Sequence, residues 1–118
     1  MQFEGVWNIF EMEMWSEEYF NMEVQAFIKI NNNGEGTFQF GLVTGGFIGK
    51  IINKDNCEKF TFKWIGTDEL EPVYGTCCME IINENLLLGR FVFDNDEESD
   101  FKARKQLKDP INDLKNWM

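Results

Sequence analysis

From about residue 3 to residue 105 the chain alternates apolar and polar side chains in short runs broken by glycine, asparagine and aspartate. The runs are explicit: Phe38-x-Phe40-x-Leu42, Phe60-x-Phe62-x-Trp64, Leu87-x-Gly89-x-Phe91-x-Phe93 and Phe101-x-Ala103. A side-chain period of two means strands with one buried face. An unbroken series of such strands means a sheet that closes or folds over on itself. Eight strands are expected, over about 4–14, 23–30, 36–43, 46–53, 58–65, 72–82, 86–94 and 99–105. Turn residues separate them: Asn31-Asn32-Asn33-Gly34-Glu35-Gly36, Gly45-Gly46 and Asn83-Glu84-Asn85 supply the positive-φ positions of hairpins. Two connections read as longer: 16–21, one helical turn with Ser16 as N-cap, and Asp68-Glu69-Leu70-Glu71-Pro72. No segment is long enough for a crossover helix, so consecutive strands pair antiparallel, in an up-and-down order. The fold class expected is all-β, an eight-stranded antiparallel up-and-down β-barrel.

At 118 residues, one domain spanning 1–118 is expected. Its last segment, 108–118, reads as a short C-terminal helix: Asp109-Pro110 suits an N-cap and first turn, and Ile111, Leu114 and Met118 share a helical face. The composition, 43% hydrophobic and 15% aromatic, is ample for one core. The net charge of −10 repels phosphate backbones and anionic lipid heads, so neither nucleic acid nor a membrane is an expected partner. No basic segment followed by an apolar one opens the chain, and no apolar run of about 18 residues occurs, so a cytoplasmic location is expected. Cys57, Cys77 and Cys78 are read as free thiols, since neighbours in a strand point to opposite faces.

There is no histidine, which removes the commonest general base and the commonest zinc or haem ligand. Ser16 and Ser99 therefore lack the partner a serine-type triad needs. Asp94-x-Asp96-x-Glu98-x-Asp100 has the spacing that opens a calcium loop, but Ser99 stands where the glycine belongs and Lys105 where the closing acid belongs. It reads as a solvated hairpin tip. No cofactor, no metal and no enzymatic activity are expected.

Two glutamates carry the one open chemical question. With Trp7 inward and strict alternation, Ile9, Glu11 and Glu13 also face the interior, where paired carboxylates would repel and raise a pKa. They would then serve as a polar handle for a cationic or hydroxylated ligand, or as an acid/base pair. A bulge near Asn8-Ile9 would instead turn Trp7, Phe10, Met12 and Met14 inward and leave both glutamates in solvent.

Phe3-Glu4-Gly5-Val6-Trp7 at the head of the first strand resembles the opening of the calycin superfamily, which holds the lipocalins and fatty-acid-binding proteins. The resemblance implies a basic residue on the last strand packed across the tryptophan, which here would be Arg104, or Lys102 on the same face. The chain departs from that superfamily in lacking the helical lid of the fatty-acid-binding proteins and the disulfides and secretion signal of the lipocalins. The stretches 11–15 and 62–69 also resemble those of uncharacterised small bacterial proteins, which imply no function.

Two functions are expected in order. The first is non-catalytic binding of a small, partly apolar or cationic molecule inside the barrel, against Trp7, Phe38, Phe40, Phe60, Phe62, Trp64 and Phe91, with Glu11, Glu13 and Arg104 completing the site. The alternative is an acidic protein-interaction module, of inhibitor or immunity type, that covers a basic partner. Either a monomer or a homodimer fits the sequence.

Overall fold

The computed structural model describes residues 1–107; the C-terminal helix expected over 108–118 lies outside the described residues. Eight strands follow in order: β1 (Gly5–Met12), β2 (Phe27–Ile30), β3 (Glu35–Phe40), β4 (Val43–Lys54), β5 (Cys57–Asp68), β6 (Glu71–Asn83), β7 (Leu86–Phe93) and β8 (Glu98–Lys105). Each pairs antiparallel with the next, and β8 returns to β1, closing the barrel. A single helical turn, α1 (Glu17–Phe20), lies between β1 and β2. The Ser16 side chain caps it by accepting from the Tyr19 amide, as a serine at that position should.

Strands β4, β5 and β6 run longer than the sequence suggests, because two of the expected turns lie elsewhere. Gly45 and Gly46 are inside β4, paired with Phe38 and Thr37 of β3. The turn is made by Gly41 and Leu42, with Gly41 at φ +58. Glycine at Gly45 serves space rather than a bend: a Cβ there would lie 2.5 Å from the Phe38 ring. Similarly, 68–72 is no long loop. Pro72 already pairs with Thr67 in the β5–β6 ladder, and only Glu69 and Leu70 turn the chain.

Two features stop the barrel's ends. At one, the N-terminal segment lays Phe3, 1% exposed, against Phe60 at 5.4 Å. The Trp7 indole N–H donates to the Phe3 carbonyl at 2.9 Å. Lys105 then crosses the Trp7 ring at 5.2 Å and donates to the Glu4 carbonyl at 2.7 Å. The basic residue across the tryptophan is therefore Lys105, not Arg104 or Lys102. Parity explains the correction: Phe101, Ala103 and Lys105 share the inward face of β8, while Lys102 and Arg104 are exposed on the other. At the opposite end, α1 folds down. Phe20 is 2% exposed, its carbonyl accepts from the Gly41 amide at 2.9 Å, and Trp15 packs on Phe40 and Phe93 at 5.2 and 5.8 Å.

The β5–β6 turn is strained. Glu69 and Leu70 both hold positive φ, 52 and 75, the conformation that two-residue hairpins assign to asparagine and glycine. Each non-glycine residue there costs about 1–2 kcal/mol. Leu70 is 92% exposed, so its side chain returns nothing through packing. Leu70→Gly should therefore raise the unfolding free energy by up to about 1 kcal/mol, after allowing for glycine's larger unfolded-state entropy. A urea melt with an unchanged m-value checks this; a lower midpoint would show that the side chain is held by contacts.

Candidate functional site

The rings expected to line a pocket do reach the interior together. Trp7, Phe38, Phe40, Phe60, Phe62, Trp64 and Phe91 are all buried. They touch one another: Phe91 meets Phe38 at 4.8 Å, Phe40 at 5.1 Å and Phe101 at 4.9 Å, and Phe38 meets the edge of Trp64 at 5.2 Å. Phe47 stacks on Phe62 at 3.8 Å. Centroid separations of this kind are those of rings in direct contact. The Trp64 indole N–H donates to the Thr76 carbonyl at 3.1 Å, so that buried donor is satisfied within the fold.

Glu11 and Glu13 face solvent. The strand β1 does bulge, between Ile9 and Glu11 against β8, about one residue later than expected. Trp7, Ile9 and Met12 consequently point inward, Phe10 lies half-buried outside, and Met14 is exposed. The offset spares the interior two carboxylates, whose burial would cost several kcal/mol each. Arg104 rests over the Phe10 ring at 4.0 Å on the outer wall, away from the rings inside.

A groove of about 680 Å³ lies on the outer wall of β1, β8, β7, β6 and β5. The two glutamates belong to it, and charges of both signs line it. Lys102 pairs with Glu11 at 3.2 Å, Arg90 with Asp100 at 2.6 Å and with Glu98 at 3.4 Å, and Lys59 with Glu80 at 3.5 Å. The Cys57 thiol donates to the same Glu80 carboxylate at 3.0 Å. That bond pushes the thiol pKa up and the Glu80 carboxyl down, Lys59 adding to the latter. A proton so held keeps Cys57 from reacting as a thiolate. Cys77, wholly buried, is pushed up further by desolvation.

The end of the barrel closed by α1 has a different character. Residues 13–26 contribute Glu13, Glu17, Glu18 and Glu23; 68–71 contribute Asp68, Glu69 and Glu71; 94–98 contribute Asp94, Asp96, Glu97 and Glu98. None of these connections, nor the 41–42 turn, contains a lysine or arginine. Antiparallel order brings them to one end. The closeness shows at Tyr19, whose pKa is raised first by desolvation and further by the charges of Asp68 and Glu69. Apolar side chains stand among the acids: Met14, Met22, Val24 and Leu70 are all exposed. The 94–98 segment is a solvated hairpin tip, with the Asn95 side chain accepting from the Glu97 amide at 3.0 Å.

This polarity was readable from the chain, because the connections that topology sends to that end carry eleven acids, and those sent to the other end, 31–34, 55–56 and 84–85, carry two. Lys105 was also readable, as the inward-parity member of β8. The Cys57–Glu80–Lys59 contact was not, since it depends on the β5–β6 register. Comparison with known proteins finds no matching family model, curated protein or solved structure.

The Arg90–Asp100 bond holds the Asp100 carboxyl below the usual carboxylate range. A carboxylate depressed on folding contributes stability that is present above its unfolded pKa, about 3.9, and is lost as pH falls through the folded value. Both side chains are half-exposed, so the contribution is small. Carboxylate NMR should place the Asp100 midpoint below those of exposed aspartates, and Arg90→Gln should move it upward; an unmoved midpoint would contradict the pairing.

Proposed function

We propose that the chain is an acidic protein-interaction module, of the inhibitor or immunity type, whose α1-side end covers a basic surface on another protein. The observation that carries this reading is the segregation of charge just described. Eleven carboxylates and several exposed apolar side chains stand at one end of a closed barrel, whereas the connections at the other end, 31–34, 55–56 and 84–85, carry only Asp55 and Glu84. Such an end attracts a cationic surface over a Debye length and speeds encounter, while Leu70, Met14 and Met22 supply the apolar contact that charge alone lacks.

The strand order, the Gly5-Val6-Trp7 opening and a basic residue across the tryptophan fit a calycin-type barrel, and we read the chain as calycin-like on those grounds. Binding of a small molecule inside would require rings now in contact, such as Phe38 and Phe91 at 4.8 Å, to move apart. The ring contacts favour the interaction surface. A carboxylate-based activity would need Glu11 and Glu13 inside; both are exposed, and Glu11 pairs with the exposed Lys102.

The test is an NMR titration of the labelled protein with a peptide alternating lysine and leucine. Shifts should concentrate at 13–24, 68–71 and 94–98, and affinity should fall steeply between about 50 and 300 mM salt. Glu69→Lys with Glu71→Lys should weaken binding about tenfold or more, whereas Glu4→Lys with Glu84→Lys, the same charge change at the other end, should not. Shifts centred on Trp7, Trp64 and Phe91, or equal effects of the two double variants, would defeat the proposal.

A further inference from the structure

At the end opposite α1, strand β4 outruns its neighbour β3. The β3–β4 ladder stops where Glu35 stands opposite Ile48, with one more bond from the Gly49 amide to the Gly34 carbonyl at 2.8 Å. β4 continues to Lys54 and stays paired with β5 throughout. Among the described residues, no strand lies along the other side of 50–54. Successive residues of a strand aim their N–H and C=O groups to alternate sides. Since the Gly49 amide points toward β3, those of Ile51 and Asn53 point into the open side, and both residues are exposed. The overhang at the α1 end differs. There β6 extends past Gly75, which pairs with Phe93 of β7, and the Tyr74 carbonyl accepts from the Asp94 amide at 3.0 Å. The same parity turns Pro72 to the open side, where it has no N–H to offer. No proline stands in 50–54.

We propose that the 50–54 edge of β4 captures an extended acidic segment of another protein by adding it to the sheet as an antiparallel strand. Charge selects the occupant. Lys50, Ile52 and Lys54 share the outer face of β4, opposite Thr61, Lys59 and Cys57 of β5. Lys50 and Lys54 are exposed, and neither is in an ion pair among the described residues. A strand laid alongside meets them four residues apart, so two acids with an apolar residue midway, opposite Ile52, complete the cross-strand pairs. Of the acids nearby, Glu58 shares the inner face with Asn53, Asp55 lies in the turn beyond the strand, and Glu35 heads β3. None stands between the two lysines. The same lysines oppose a second copy. The two-fold register that uses all of 50–54 centres on Ile52 and sets Lys50 of each copy against Lys54 of the other, a like-charge pair made twice.

The test is an NMR titration of the full chain, with amide hydrogen exchange, using a peptide whose core is Glu-Thr-Val-Thr-Glu. Exchange at Ile51 and Asn53 should be fast in the free protein and about tenfold slower or more with the peptide bound. Lys50→Glu with Lys54→Glu should weaken binding about tenfold while near-UV circular dichroism stays unchanged. With the glutamates opposite the lysines, the two threonine nitrogens of the peptide face β4 and the valine nitrogen faces away. Methylating the threonine nitrogens should abolish binding, and methylating the valine nitrogen should leave it. A peptide that does not bind overturns the proposal, as does binding that survives methylation of the threonine nitrogens, which marks charge attraction without strand addition. Slow exchange at Ile51 and Asn53 before any peptide is added also overturns it, because the edge would then be covered by the chain's own tail or by a second copy. The lysine–leucine peptide aimed at the acidic end should leave these two amides unmoved, so the two proposals stand or fall separately.

Discussion

A sheet that closes on itself has an inside whose size is set by its strand number, and eight strands leave an interior that their own side chains fill or one small ligand occupies. Closure here rests on the β1–β8 ladder, from Trp7 opposite Lys105 to Met12 opposite Phe101. Once that ladder forms, every inward position on eight strands shares one volume. This chain sends phenylalanine or tryptophan to many of them, and the rings meet. Glycines opposite or beside rings make the fit feasible: Gly45 lies under Phe38, Gly36 under Phe47 and Gly89 under Phe101. Phe3 and α1 then stop the two ends.

A filled interior moves the search for function to the outside. There the decisive variable is where charge falls, and antiparallel topology decides it. Up-and-down order sends alternate connections to the same end, so acids scattered through the chain at 13–23, 68–71 and 94–98 converge. Among the described residues, the lysines and arginines sit on strand walls or toward the other end. The net charge of −10 is therefore less informative than its distribution, which gathers eleven acids at one end and leaves one wall with both signs.

The alternation of residues made the fold legible, because period-two patterning reports directly on which face of a strand is buried. Element boundaries were harder. Gly45-Gly46 has the composition of a turn, yet stands inside a strand because rings need the space. Glu69-Leu70 lacks the composition of a turn and nevertheless makes one. In both places a tertiary requirement outweighs local preference. The orientation of Glu11 and Glu13 turned on a bulge at one residue, which alternation alone does not locate. The desolvation cost of two carboxylates indicated its direction but not its position. Arg104 was misplaced by one residue in parity; strand-by-strand counting from Phe101 and Ala103 leads to Lys105.

The account depends most on the interior being a packed core rather than a vessel, and Phe91 tests that most directly because it touches Phe38, Phe40 and Phe101 at once. The measurement is the unfolding free energy of Phe91→Ala against wild type by urea denaturation. A packed core predicts a loss of about 3–5 kcal/mol, the cost of removing a buried ring and leaving a cavity. A loss below about 1 kcal/mol, with the remaining ring resonances unmoved, would show that space was already there and would contradict it.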